Sequence, residues 1–137
     1  MTTENINVIQ VDRGALEAMA KGERFVQHFL DRNSGGKHCE AGIVRTPPGD
    51  GSPSGYHIHD FDQFMYVLEG ILTFEIDGEV FTAGPDSFVI HRAGVPHLNR
   101  NDSDEPTLHI AINAPTPTPG TERAKPWPGD PSRFIWR

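Results

Sequence analysis

The sequence predicts an all-β protein, an antiparallel sandwich or barrel preceded by one short helix. Three observations carry this expectation. From residue 25 to residue 113, short runs rich in β-branched and aromatic residues succeed one another, separated by clusters of Gly, Pro, Asn and Asp. Asp77-Gly78, between Phe74-Glu75-Ile76 and Val80-Phe81, is a two-residue hairpin signal, because a type I′ turn needs positive φ at both central positions. Beyond Gly22 no apolar period of 3.6 residues is sustained long enough for a helix.

Taken in order, the leader holds Val8, Ile9 and Val11, which are expected to form an edge strand. Asp12 is the N-cap of a helix over 13–21, with Leu16 and Met19 on one face and Gly22 as the stop. The predicted strands are Phe25–Leu30, Cys39–Arg45, Gly55–His59, Phe64–Leu68, Ile71–Ile76, Glu79–Thr82, Ser87–His91, His97–Asn99 and Leu108–Asn113. Past Ala114 the character changes: Pro115, Pro117, Pro119, Pro126, Pro128 and Pro131 favour extended chain. Trp127, Phe134, Ile135 and Trp136 are too apolar for a free tail and are expected to pack on the barrel or on a second subunit. The chain thus divides into an N-terminal segment (1–24), a barrel (25–114) and a proline-rich extension (115–137).

Composition narrows the partners. A length of 137 residues suits one domain with one core. Twelve Lys and Arg against nineteen Asp and Glu give a net charge of −7, so no nucleic-acid or anionic-membrane partner is expected, since either needs a cationic face. Cys39 is the only cysteine, which excludes an intrachain disulfide. The polar start Met1-Thr2-Thr3-Glu4-Asn5 has no basic-then-apolar signal pattern, and no stretch is long enough to span a bilayer; the expected location is the cytoplasm.

The chemistry concentrates in His57-Ile58-His59, Gln63 and Gly94-Val95-Pro96-His97. Histidines at i and i+2 on a strand point to one face. With His97 from a distant strand and Gln63 from the next one, they suit the first coordination shell of a metal ion. Gly51, His57, His59, Gln63 and Gly70 fall at the spacing G-x5-H-x-H-x3-Q-x6-G. This resembles the first motif of the cupin superfamily, which has Glu where this chain has Gln63. Gly94, His97 and Asn101 resemble the second cupin motif, although Arg92 replaces its usual Pro and Gly84 stands two residues early. The resemblance implies a jelly-roll barrel, commonly dimeric, with a divalent transition metal (Fe, Ni, Zn, Mn or Co) held by His57, His59, His97 and Gln63.

A neutral Gln63 leaves the ion's formal charge undiminished, which strengthens Lewis acidity and removes a carboxylate that cupin dioxygenases use as base. The expected chemistry is therefore lyase-, isomerase- or cyclase-like, on a small carbonyl, carboxylate or enol substrate. The alternatives are an iron-dependent dioxygenase, since three-histidine iron sites exist among cupins, a non-catalytic ligand-binding module, and a degenerate cupin kept for assembly. Alternation places Met65 and Val67 beneath Gln63 and turns Phe64, Tyr66 and Leu68 outward, an apolar stripe expected to form a homodimer. Besides Gln63, the candidate catalytic residues are Tyr56, His109 and Glu40. Tyr56 has the opposite parity to His57, and the facing of His109 and Glu40 is open at this stage. His28, His38 and His91 have no partner pattern and are expected on the surface. Asn99 and Asn101 are expected on the side of His97.

Overall fold

A computed structural model describes residues 7–118 and 123–127. Its described strands lie in two five-stranded antiparallel sheets. The first contains β1 (Phe25–Leu30), β2 (Glu40–Thr46), β9 (Thr107–Ala114), β4 (Asp62–Glu69) and β7 (Phe88–His91), in that spatial order. The second contains β10 (Lys125–Pro126), β3 (His57–Ile58), β8 (His97–Arg100), β5 (Leu72–Ile76) and β6 (Glu79–Ala83). From β2 onward the chain crosses repeatedly between the sheets, the habit of a jelly roll. Met65 and Val67 of the first sheet meet Leu72, Phe74 and Ala83 of the second in a buried core, with Val67, Leu72 and Phe74 fully enclosed. Burying each of these large side chains stabilises the fold by about 1.5–3 kcal/mol.

Local chemistry explains the hairpin at β5–β6. Asp77 (φ 48°) and Gly78 (φ 83°) both take positive φ, and Ile76 pairs with Glu79 across the turn. Gly51 is required by close approach: a Cβ there would lie 2.3 Å from the Asn99 carbonyl oxygen, at the bridge Gly51 makes with Arg100.

Three expectations are corrected. Asp12 caps helix α1, accepting from the Ala15 N–H at 3.0 Å, but α1 spans only Arg13–Ala18 and Met19 is already extended. No residue of α1 is buried, so no packing supports a third turn. Residues 7–12 are irregular instead of an edge strand. Two of their backbone groups bond to a side chain instead of a neighbouring strand: Gln27 accepts from the Asp12 N–H and donates to the Gln10 carbonyl, both at 2.9 Å. Asn101 leaves the strand after Arg100 and is fully buried, donating through Nδ2 to the carbonyls of Thr46 and Glu105. It holds a loop and does not face His97.

The described part of the proline-rich extension lies against the barrel. Lys125–Pro126 pairs with Ile58 and His57 at the sheet edge, and the Trp127 N–H donates to the Tyr56 carbonyl. Thr116 and Arg32 tie residues 116–117 to the Gly36 region. Phe134, Ile135 and Trp136 lie outside the described residues. Among the described residues, no helix is long and apolar enough to cross a membrane.

The register does the positioning. Glu40 pairs with Asn113, Asn113 with Gln63, and Gln63 with His91, so these four side chains form one row across β2, β9, β4 and β7. Paired residues share a face. The next row, Gly42, Ala111, Met65 and Val89, is apolar and sinks into the core.

Candidate metal centre

His57 of β3 pairs directly with His97 of β8, and His59 follows two residues after His57. All three are buried. Their ring centroids stand 4.5–4.9 Å apart. Among the described residues, these three are brought together as a group whose ligand atoms all lie within 4.8 Å of one another.

The hydrogen bonds define which nitrogen faces inward. Nδ1 of His57 meets the Gly55 carbonyl, Nδ1 of His59 the Arg123 carbonyl at 2.6 Å, and Nδ1 of His97 the Val95 carbonyl at 3.0 Å. A carbonyl only accepts, so each Nδ1 carries the proton and each Nε2 presents a lone pair. The Nε2 atoms of His57 and His59 are 3.1 Å apart, and Nε2 of His97 is buried with no hydrogen-bond partner. Lone pairs aimed at one another in a buried space repel unless a cation lies between them. Carbonyl-anchored Nδ1 atoms behind converging Nε2 atoms are the outer-shell arrangement of metal-bound histidines.

Burial keeps the imidazoles neutral, as ligation requires. Desolvation lowers the pKa of His57 and His59, partly offset by their bonds to Gly55 and Arg123, and lowers that of His97 to about 3. The Gln63 side chain also lies beside His59 and raises its pKa, a smaller effect than the lowering by burial. The donor set of three neutral nitrogens and an amide oxygen fits a divalent transition metal. The Gly94 turn (φ +77°) that precedes His97 is tied to the centre as well, its N–H donating to the His59 carbonyl at 2.9 Å.

The remaining candidates separate clearly. Glu40 faces inward on the row of Gln63, where Oε1 accepts from Asn113 Nδ2 at 2.7 Å and pairs with Arg123. Tyr56 is buried on the opposite face from His57, and its hydroxyl accepts from the Gly78 N–H at 2.9 Å, so it braces the β5–β6 turn. His109 points inward and is buried, but it pairs with Val44 and Val67, two rows below Gln63. The structure does not bring Tyr56 or His109 to the centre.

His91 corrects the sequence reading. It is 1% exposed and stacks on His97 at 4.0 Å with planes 10° apart. Neither ring nitrogen has a hydrogen-bond partner, and burial lowers its pKa to about 2. Phe88-Val89-Ile90 is apolar on both faces, so alternation could not show which way His91 turned. Asn113 and Phe61 were also missed: Phe61 stacks on His59 at 4.5 Å, and Asn113 joins the row only through register. His28 and His38 are exposed, as expected.

A cupin domain family matches residues 42–113. Over 82 residues the chain is 32% identical to the polyketide synthase CurC of Streptomyces cyaneus, a match covering 58% of this chain and 53% of that protein. The chain thus spans about half the length of this curated relative. Among solved structures, it is similar to the cupin domain of an XRE family transcriptional regulator from Enterobacter cloacae, with TM-score 0.58 and 26% identity over 69% of this chain and 98% of that one. It is also similar to the polyketide cyclase RemF from Streptomyces resistomycificus, with TM-score 0.64 and 17% identity over 82% and 76% of the two chains. At that identity the second likeness speaks for the fold alone.

Proposed function

The chain belongs to the cupin family, and on that footing we propose that it is a metal-dependent enzyme of cyclase type acting on a small substrate with neighbouring carbonyl groups. The observation that carries the reading is the convergence of three Nε2 lone pairs beside a neutral Gln63. His57, His59 and His97, with the Gln63 side-chain oxygen, would hold a divalent metal. When bound, such an ion supplies Lewis acidity that polarises a substrate carbonyl. The name of CurC supports a polyketide-like, multi-carbonyl substrate.

This chain's own residues shape that chemistry. Among the described residues no carboxylate stands in the converging group, so a bound ion's charge would act on the substrate oxygen without being offset by a ligand. Phe61 stacks on His59 and would shield that side of the site from water. Of the three acid–base candidates, Tyr56, His109 and Glu40, Glu40 alone stands on the row of Gln63.

A cyclic β-diketone serves as the probe. Zinc-loaded protein under nitrogen is expected to speed deuterium exchange at the carbon between the carbonyls at least about 100-fold, in line with one well-placed electrostatic contribution. Chelation should abolish the effect. Stoichiometric oxygen uptake by the iron-loaded protein would establish the dioxygenase reading instead. Tight diketone binding with neither exchange nor oxygen uptake would make the chain a ligand-binding module, a reading favoured by its likeness to the regulator's domain.

We also propose that two copies pair through the outer face of the first sheet. Tyr66, Phe88 and Ile90 are exposed there, Phe88 at 57%, and Phe88 stacks on Phe64 at 5.8 Å. The described residues of the leader lie toward the other side of this face, at Gln27, whose strand partner Ile43 is 1% exposed. A flat apolar patch related by a two-fold axis is self-complementary. Light scattering should therefore give twice the 15.2 kDa chain mass, and Phe88→Asp should halve it. A monomeric parent protein would refute the pairing.

A further inference from the structure

The row Glu40, Asn113, Gln63 is a chain of side-chain hydrogen bonds with a fixed direction. Asn113 Nδ2 donates to Glu40 Oε1 at 2.7 Å, and Gln63 Nε2 donates to Asn113 Oδ1 at 2.9 Å. An amide has one accepting and one donating end, and the two are nearly the same shape. A carboxylate only accepts. Glu40 therefore forces Asn113 to present its NH₂ to it and its oxygen to Gln63, and Asn113 in turn draws the Gln63 NH₂ away from the histidines. The Gln63 oxygen is left facing the metal position. Arg123 meets the same Glu40 oxygen, and its guanidinium can only donate, so Glu40 is kept as the acceptor that sets the direction of the row.

We infer that Glu40 and Asn113 are positioning residues of the metal centre, which hold Gln63 as an oxygen donor and prevent its amide from turning. The inference rests on the metal-site reading above. It explains how an amide can stand where the related motif has a carboxylate. A carboxylate offers oxygen whichever way it rotates, whereas an amide offers oxygen in only one of two orientations. Direction must come from elsewhere, and here it comes from a carboxylate two strands away.

The test is a double-substitution cycle read by Co²⁺ affinity and by the visible absorption of the bound ion. Glu40→Gln is nearly isosteric but can donate, so it lets the whole chain reverse and turns the Gln63 NH₂ toward the metal. It is expected to weaken Co²⁺ binding about 10–100-fold, the usual effect of losing an outer-shell partner, and to shift the absorption bands. In a Gln63→Glu background the same change should leave affinity within about threefold or tighten it. A carboxylate at position 63 accepts from a reversed Asn113 and still presents oxygen to the ion. Asn113→Ala, which breaks the chain without adding a donor at position 40, should weaken binding like Glu40→Gln and serves if that variant fails to fold. Equal weakening by Glu40→Gln in both backgrounds would overturn the inference, since Glu40 would then act only as a distant charge. No weakening by either variant would overturn it too. Parent protein that binds no Co²⁺ would instead overturn the metal centre itself.

Discussion

Substituting His97→Ala is expected to abolish stoichiometric metal binding. One of three converging imidazoles is lost, and the remaining pair, His57 and His59, presents two lone pairs 3.1 Å apart with no third nitrogen to close the site. Loss of an outer-shell partner alone costs about 10–100-fold in metal affinity, so loss of a ligand should cost at least about 100-fold. Two measurements check this. Metal content by mass spectrometry should fall from about one ion per chain to near zero. Thermal stability should also stop responding to added metal. At 100 times its dissociation constant a ligand stabilises the native state by about 2.7 kcal/mol, and that increment should vanish in the variant. The variant also gives up the Nδ1 bond to the Val95 carbonyl and the stacking on His91, so its circular dichroism spectrum is recorded beside the metal content to show that it folds. A variant that keeps the parent's metal content would sink the assignment of His97.

Metal-free protein is expected to lose stability steeply between pH 6.5 and pH 5. Burial holds His91 at about 2, His97 at about 3 and His109 at about 4, against 6.5 for an unperturbed imidazole. Neighbouring imidazoles lower His91 further, and Arg24 does the same for His109. The folded pKa values are depressed for a base, so the unfolded chain binds protons that the native state refuses. Above pH 6.5 both states are neutral and these groups contribute nothing to the pH dependence. Below it, stability falls as pH falls, by about 1.4 kcal/mol per unit for each histidine, until the folded pKa is reached. At pH 5 the three together remove roughly 6 kcal/mol, comparable to the whole stability of many domains. Denaturant unfolding at pH 7.5 and pH 5.0 measures the difference, and His109→Leu, which cannot take up the proton, should reduce the slope by about a third. Equal stability at the two pH values would refute the account.

Much of the fold was legible because its causes are local. Alternation turned Met65 and Val67 inward and Phe64 and Tyr66 outward, as the strand pairing and burial show. Turn chemistry located the β5–β6 hairpin at Asp77-Gly78. The two-residue periodicity brought His57 and His59 to one side, and the glycine-bounded spacing attached His97 to them. Helix length was less legible: Asp12 set where α1 begins, but with no buried face the helix stopped at Ala18.

The composition of the centre beyond the three histidines came from assembly of the sheets. Asn113 meets Gln63 across 50 residues of sequence and Glu40 across 73, and such a row exists only once β2, β9 and β4 lie in one particular register. His91 was concealed because its strand is apolar on both faces, and pairing with Gln63 turned it onto His97. Arg123, whose carbonyl orients His59, comes from the proline-rich extension, where no periodicity signals a contact. Short-range backbone preference and side-chain alternation act within a few residues and are written in each segment, whereas the choice of cross-strand neighbour depends on the free energy of the whole packed barrel.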